Sequence, residues 1–207
     1  MRTEAINISL QRTITSARLS SYTTEKNGDL DAALTLYEYN LQVSEAFYTV
    51  LQALEICLRN TLDKCLTATY GADWLTNGLA PLSYDAQNEI RDAINELGNG
   101  QNVPPEDVIA KLKFSFWVGL LGPRYDATLW RKSLYKGFAA TTGKKRSDVH
   151  SRVNAIRRFR NRVAHHEPIF SRDLELQHDE ILEAIGWMCK DTTAWAAHHS
   201  RVLGIIK

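Results

Sequence analysis

Cysteine is scarce in this chain, and what there is does not pair. Cys57, Cys65 and Cys189 form an odd set without a Cys-x-x-Cys spacing, which argues against a disulfide framework or a zinc knuckle and fits a reducing, cytoplasmic location. An excess of either charge is also missing, since 25 Lys and Arg against 24 Asp and Glu leave a formal net charge of +1. Affinity for a polyanion must then come from a local patch. The longest apolar run, Phe114 to Leu121, falls far short of the ~20 residues that span a bilayer. Met1-Arg2-Thr3-Glu4 opens no apolar signal core, so no membrane partner is expected. Neither a Gly-x-x-x-x-Gly-Lys loop nor a Gly-x-Ser-x-Gly elbow occurs. No extended period-two run of Val, Ile and Thr is found, which leaves all-α as the fold class.

What is present is an ordinary globular composition, 44% hydrophobic and 24% charged over 207 residues, long enough for one good core. One domain over residues 1–207 is the expectation, with Gly98 to Pro105 as a loop inside it. The pattern predicts a modest amphipathic helix over Thr3 to Thr23 carrying Ile6, Leu10, Ile14 and Leu19, then a turn at Lys26-Asn27-Gly28-Asp29. From Asp31 the apolar pattern strengthens into a long central helix from Leu41 to Tyr70, with Val43, Phe47, Val50, Leu51, Leu54, Leu58, Leu62 and Cys65 on one face. A short helix follows over Tyr84 to Leu97. Pro105 with Glu106 and Asp107 opens the next, which runs through the aromatic block to Leu121 and stops at Gly122-Pro123. Continuous Phe, Trp and Leu on a helix mark core rather than a stacking platform. Further helices are expected over Asp126 to Ala139, from a Ser147 cap onward, over Leu174 to Cys189 with Leu176, Ile181, Leu182 and Ile185 packed, and over Asp191 to Leu203.

The helix from Ser147 carries the chemistry. Val149, Val153, Ile156 and Val163 make its apolar stripe, and Arg160 lands within that stripe. A guanidinium keeps its charge, so it must meet a carboxylate, a phosphate or a carbonyl there. The neighbouring flank presents His150, Asn154, Arg157, Asn161 and His165, of which Asn161 and His165 are i, i+4 neighbours. Pro168 forces Glu167 out of helical geometry, which puts His165 in the last turn. Lys144, Lys145, Arg146, Arg152, Arg157, Arg158, Arg160 and Arg162 face the single acid Asp148, a local charge near +7 that suits nucleic acid. On the central helix, Glu55 and Arg59 read either as a solvated i, i+4 pair or as the place where Glu55 neutralises Arg160, with Arg59 and Asn60 ordering the cluster.

Arg160-Asn161-Arg162-Val163-Ala164-His165 resembles the Arg, four-to-six residues, His motif of HEPN-domain ribonucleases. The longer string through His166-Glu167-Pro168-Ile169 is similar to the abortive-infection (Abi-like) branch of that superfamily. Leu54-Glu55-Ile56-Cys57-Leu58-Arg59-Asn60 resembles the branch's Glu-Arg-Asn signature, and the Phe114 to Leu121 block with Trp130 resembles its Phe-Trp segment. The resemblance implies a HEPN-like helical bundle with additional helices, acting as a homodimer on RNA in a toxin or antiphage role. An antitoxin or sensor partner would be compatible with it. His165 would be general base or phosphate holder, Arg160 would stabilise developing charge, and Asn161 would orient His165 or donate to phosphate. His166 could share the work, Glu55 and Arg59 would support, and Arg157, Arg158, Arg162, Lys144, Lys145 and Arg146 would hold the RNA backbone.

No metal or cofactor is called for. Two adjacent histidines, His165 and His166, point to different sides of a helix, and no carboxylate spacing completes a site with His178. Two other readings stand beside the ribonuclease: a non-catalytic RNA or nucleotide binder that keeps the basic helix, and a helical protein-interaction module.

Overall fold

The computed structural model describes residues 2–98, 103–138 and 144–206, and every regular element among them is helical, with no strand. The chain opens on two helices where the pattern predicts one, α1 (Glu4–Ile14) and α2 (Ser16–Glu25). Thr15 separates them with φ of 80°, ending one helix and capping the other by accepting from Arg18 N. Only part of the expected stripe is used. Leu19 is fully buried, Leu10 and Ile14 are partly so, and Ile6 faces water.

Next comes α3 (Leu30–Tyr70), 41 residues long and so about 60 Å end to end at 1.5 Å per residue. Asp29 caps its start by accepting from Ala32 N, and Gly71 ends it with φ of 99°, a conformation that excludes most side chains. Its predicted face is the inner one: Val43, Phe47, Val50, Leu51, Leu54, Leu58 and Leu62 are buried, and Cys65 partly so. The remaining helices wrap this rod.

The wrapping elements are α4 (Tyr84–Gly98), α5 (Pro105–Lys111), α6 (Phe114–Leu120), α7 (Arg146–Ala164), α8 (Leu174–Gly186), α9 (Lys190–His199) and α10 (Val202–Ile205). The helix expected from Pro105 to Leu121 is broken, because Leu112 and Lys113 both leave helical geometry. Phe114, Phe116 and Trp117 are buried as expected of core. The helix expected over Asp126 to Ala139 is no ordinary helix over its described part, to Phe138. After a 3-10 turn at Pro123–Tyr125 it is a π turn at Asp126–Trp130 and a second 3-10 turn at Leu134–Phe138. The α7 cap is Lys145 rather than Ser147, whose hydroxyl instead donates to the Asp148 carboxylate. On α8 the buried positions are Leu174, Ile181 and Ile185, while Leu176 is exposed.

One large core takes residues from both sides of the 99–102 segment, including Ala86, Ile90, Val108 and Leu112. A second, small core joins Leu19 and Tyr22 of α2 to Ala33 and Leu34 of α3, with Phe170 packed on it. The tip of the predicted 98–105 loop and Thr141 to Gly143 of the predicted basic turn lie outside the described residues. Among the described residues no helix is long and apolar enough to cross a membrane.

Candidate functional site

Phe159 sets the rotation of α7. It is buried against Phe47 of α3 in an edge-to-face contact with ring centroids 4.8 Å apart, a favoured aromatic geometry. The stripe therefore runs Val149, Val153, Ile156, Phe159 and Val163, and Arg160 borders it instead of standing within it. Its side chain is 37% exposed and meets Glu55, with Nη2 3.3 Å from Oε2, and the Glu55 side chain is 29% exposed. The expected partner is thus in place.

The pair stands in an open groove of about 240 Å³ between α3 and α7, which Tyr48, Gln52, Ile56, Arg59 and Ala164 also line. Arg59 Nε donates to Asn60 Oδ1 at 3.2 Å. Asn161, His165 and His166 do not line this groove. His165 is the residue after Ala164, solvent-exposed and at the C-cap of α7, where its N–H still donates to the Asn161 carbonyl at 2.8 Å. Asn161 itself is partly buried.

The helix ends in a Schellman turn. Glu167 N donates to Arg162 O at 2.8 Å and His166 N to Val163 O at 3.1 Å, while His166 takes φ of 57°. That left-handed position is usually glycine's, and an L-residue there is strained by about 1–2 kcal/mol. Three contacts hold the turn in spite of it. Arg18 Nη1 of α2 donates to the carbonyls of His165 at 3.3 Å and His166 at 3.0 Å. Arg162 pairs with Glu167 at 3.3 Å. Asn40, only 2% exposed on α3, accepts from Ile169 N at 2.7 Å and Phe170 N at 3.2 Å.

Neither Arg18 nor Asn40 is singled out by the sequence. Their partners lie more than 120 positions away, and the one available sign was an Asn interrupting the apolar positions around Leu36 and Leu41.

The basic concentration on α7 is largely consumed internally. Arg146 donates to Asp126 at 3.0 Å and to the Leu121 carbonyl at 2.9 Å. Lys144 lies 3.3 Å from Glu183 and 4.3 Å from the Trp187 ring centroid. Arg152 meets Glu180 and Glu183. Five of the eight cations, Lys144, Arg146, Arg152, Arg160 and Arg162, sit in ion pairs. The net local charge is accordingly far below the +7 that the linear count suggests. Among the described residues Lys145, Arg157 and Arg158 have no acid within ion-pair distance, and Arg157 Nε instead donates to Asn154 Oδ1 at 3.0 Å. Burial, then the charges of Arg146 and Arg157, hold His150 below its ordinary pKa.

Among the described residues, no three His, Cys, Asp or Glu side chains cluster as a metal site requires. His178 is buried and its ring nitrogens meet Ser200 Oγ at 3.0 Å and Asp179 Oδ1 at 3.4 Å, a satisfied core histidine.

The fold defines an all-helical protein with a cation-bearing groove on its longest helix. No family model, no curated protein and no solved structure matches the chain.

Proposed function

We propose that the chain is a HEPN-type endoribonuclease of the Abi-like branch, a toxin or abortive-infection effector that cuts RNA without a metal. The observation that carries the reading is the Arg160–Glu55 pair standing open in a groove whose rim residue, Ala164, is followed by the exposed His165. Half-exposed Arg–carboxylate pairs occur elsewhere on this surface, as at Arg162–Glu167 and Arg201–Glu45; what supports the reading at Arg160 is its place in a groove beside the exposed histidine.

RNA carries its own nucleophile, the 2′-hydroxyl. His165 takes the hydroxyl proton, the 2′-oxygen attacks the adjacent phosphorus as the bond to the 5′-oxygen breaks, and the 5′-oxygen takes a proton from solvent water, giving a 2′,3′-cyclic phosphate and a 5′-hydroxyl. Arg160 stabilises the charge on the phosphorane oxygens, and Glu55 keeps its guanidinium oriented until the phosphate arrives. Since His165 does not line the groove of its own chain, the site calls for a second copy whose helix end faces this one. Exposed Leu41 and Tyr48 on α3 offer apolar area for that contact.

The test is cleavage of a single-stranded RNA in excess chelator by wild type, His165→Ala and Arg160→Ala, with product ends identified by mass spectrometry. Expected is a loss of 10²–10⁴-fold for His165→Ala, with cyclic-phosphate ends from wild type. Unchanged cleavage by both variants overturns the proposal. The exclusion of His165 from the groove lining also favours a second reading, an RNA binder without turnover. Tight RNA binding by wild type with no cleavage would establish it.

A further inference from the structure

A second groove, of about 480 Å³, lies between α3 and α9 and adjoins the first, since Gln52 and Ile56 line both. The geometry points to a base-binding subsite for a single-stranded RNA nucleotide, with Trp195 as its stacking platform. This inference rests on the ribonuclease reading only for the phosphate chemistry in the groove next door. Its own support is independent.

Trp195 is 56% exposed, whereas Trp74, Trp117, Trp130 and Trp187 are each at most 8% exposed. Other large side chains are as exposed, Tyr84 and Leu79 among them, but Trp195 alone of the five indoles offers its flat face at the rim of a groove. The ring is not adrift, because His199 lies against it with centroids 5.0 Å apart. Beside it, Ile56 gives the groove an apolar wall while Asn60, Gln52 and Thr192 supply donors and acceptors. Few convergent polar groups on an apolar wall is how small-ligand sites recognise flat molecules.

Cations flank this stretch at both ends. Arg59 and Arg160 stand in the first groove, and Arg59 reaches across by its bond to Asn60. Lys64 lines the second groove, four residues beyond Asn60 and so about 6 Å further along the helix. A ribbon running cation, aromatic with hydrogen-bonding groups, cation is the pattern by which single strands are held, phosphates on the charges and a base on the ring. Among the described residues the one acid lining either groove, Glu55, is already paired with Arg160. A helical protein partner would instead require a continuous apolar rim, and here Lys64, Asn60 and Gln52 interrupt it.

The experiment uses the full chain and a 2′-O-methyl single-stranded oligonucleotide, which lacks the free hydroxyl and stays intact. Because the four other indoles are buried, the part of the intrinsic fluorescence change that disappears in Trp195→Ala reports the occupancy of Trp195. Expected are quenching on binding, a loss of affinity of about 5- to 100-fold for Trp195→Ala, and near-wild-type affinity for Trp195→Phe, which keeps a stacking face. Lys64→Ala should flatten the salt dependence, with circular dichroism confirming the fold of each variant. Wild-type affinity of Trp195→Ala, read by anisotropy of a labelled oligonucleotide, overturns the inference, and so does binding by the wild-type protein without quenching. So does a Trp195→Ala variant that loses self-association in light scattering while binding RNA normally, since the face would then belong to a second copy. If RNA is never cut but binding depends on Trp195, the ribonuclease reading fails and this one stands. Normal cutting by Trp195→Ala with unaltered KM keeps the ribonuclease and removes the subsite.

Discussion

Glu55 and Arg160 meet with both side chains partly in water, and an ion pair so placed contributes only about 0–1 kcal/mol to stability. Its effect is on position and charge. Glu55→Gln should therefore leave Tm within about 4 °C of wild type while tightening RNA binding several-fold at low salt, read by fluorescence anisotropy. His166 is the opposite case, where strain has a stability cost. His166→Gly relieves the φ of 57° and should raise stability by about 1 kcal/mol in thermal denaturation. It also separates the two histidines: cleavage unchanged within a few-fold leaves the base role to His165, and a loss of cleavage moves it. His150 adds a pH dependence. Its folded-state pKa is lowered from 6.5 by burial and by Arg146 and Arg157, so the unfolded chain binds that proton more readily. The stability tied to this group is complete above pH 6.5 and declines as pH falls below 6.5 towards the folded value. His150→Gln should flatten the corresponding fall in Tm between roughly pH 7 and 5.

At the scale of elements, the turns at Pro123–Tyr125, Asp126–Trp130 and Leu134–Phe138 replace a regular helix, and Gly137 shows how tightly the last one is seated. A Cβ there would stand 2.5 Å from Thr61 Cγ2 and 3.2 Å from Cys65 Sγ of α3. Gly137→Ala should cost about 1–3 kcal/mol as overpacking, measured as a lowered denaturation midpoint with an unchanged slope. None of this is visible in the periodicity of Leu129, Trp130, Leu134 and Phe138. Period reading sees that a segment is apolar, and the close approach to α3 is a fact of packing. The same distinction explains the rest. The stretch of α3 from Leu41 to Tyr70 was legible because its apolar pattern is long and consistent, whereas its start at Leu30 was not, the pattern from Asp31 having been read only as leading into the helix. The breaks at Thr15 and at Leu112–Lys113 were not, because neither carries glycine or proline at the break itself. The Glu55–Arg160 pairing was one of two readings of Glu55, and it forms even though Arg160 borders the stripe instead of standing within it. The Arg18 and Asn40 contacts to the turn could not be anticipated, because they depend on where two distant helices end.

For the whole molecule the decisive quantity is how much positive charge remains for a polyanion. Ion pairs with Glu55, Asp126, Glu167, Glu180 and Glu183 occupy five of the eight cations of the basic stretch. If the three others meet phosphates together with Arg59, Arg160 and Lys64 of the two grooves, the logarithm of RNA affinity should fall with the logarithm of salt at a slope of about −4. All eight cations free alongside Arg59 and Lys64 would give about −7 by the same relation. Anisotropy titrations across a series of salt concentrations decide between them. A linear count of Lys and Arg could not foresee this, because the neutralising acids come from four other segments of the chain.

The small core beneath α2 has a further consequence. Only Leu19, Tyr22, Ala33 and Leu34 are sealed within it, so the first two helices can peel off as a cooperative unit well before the main bundle melts. Arg18 and Tyr22 would leave with them, so the left-handed histidine turn would lose its outer brace and Phe170 the ring it packs on, with Asn40 still holding the backbone beneath.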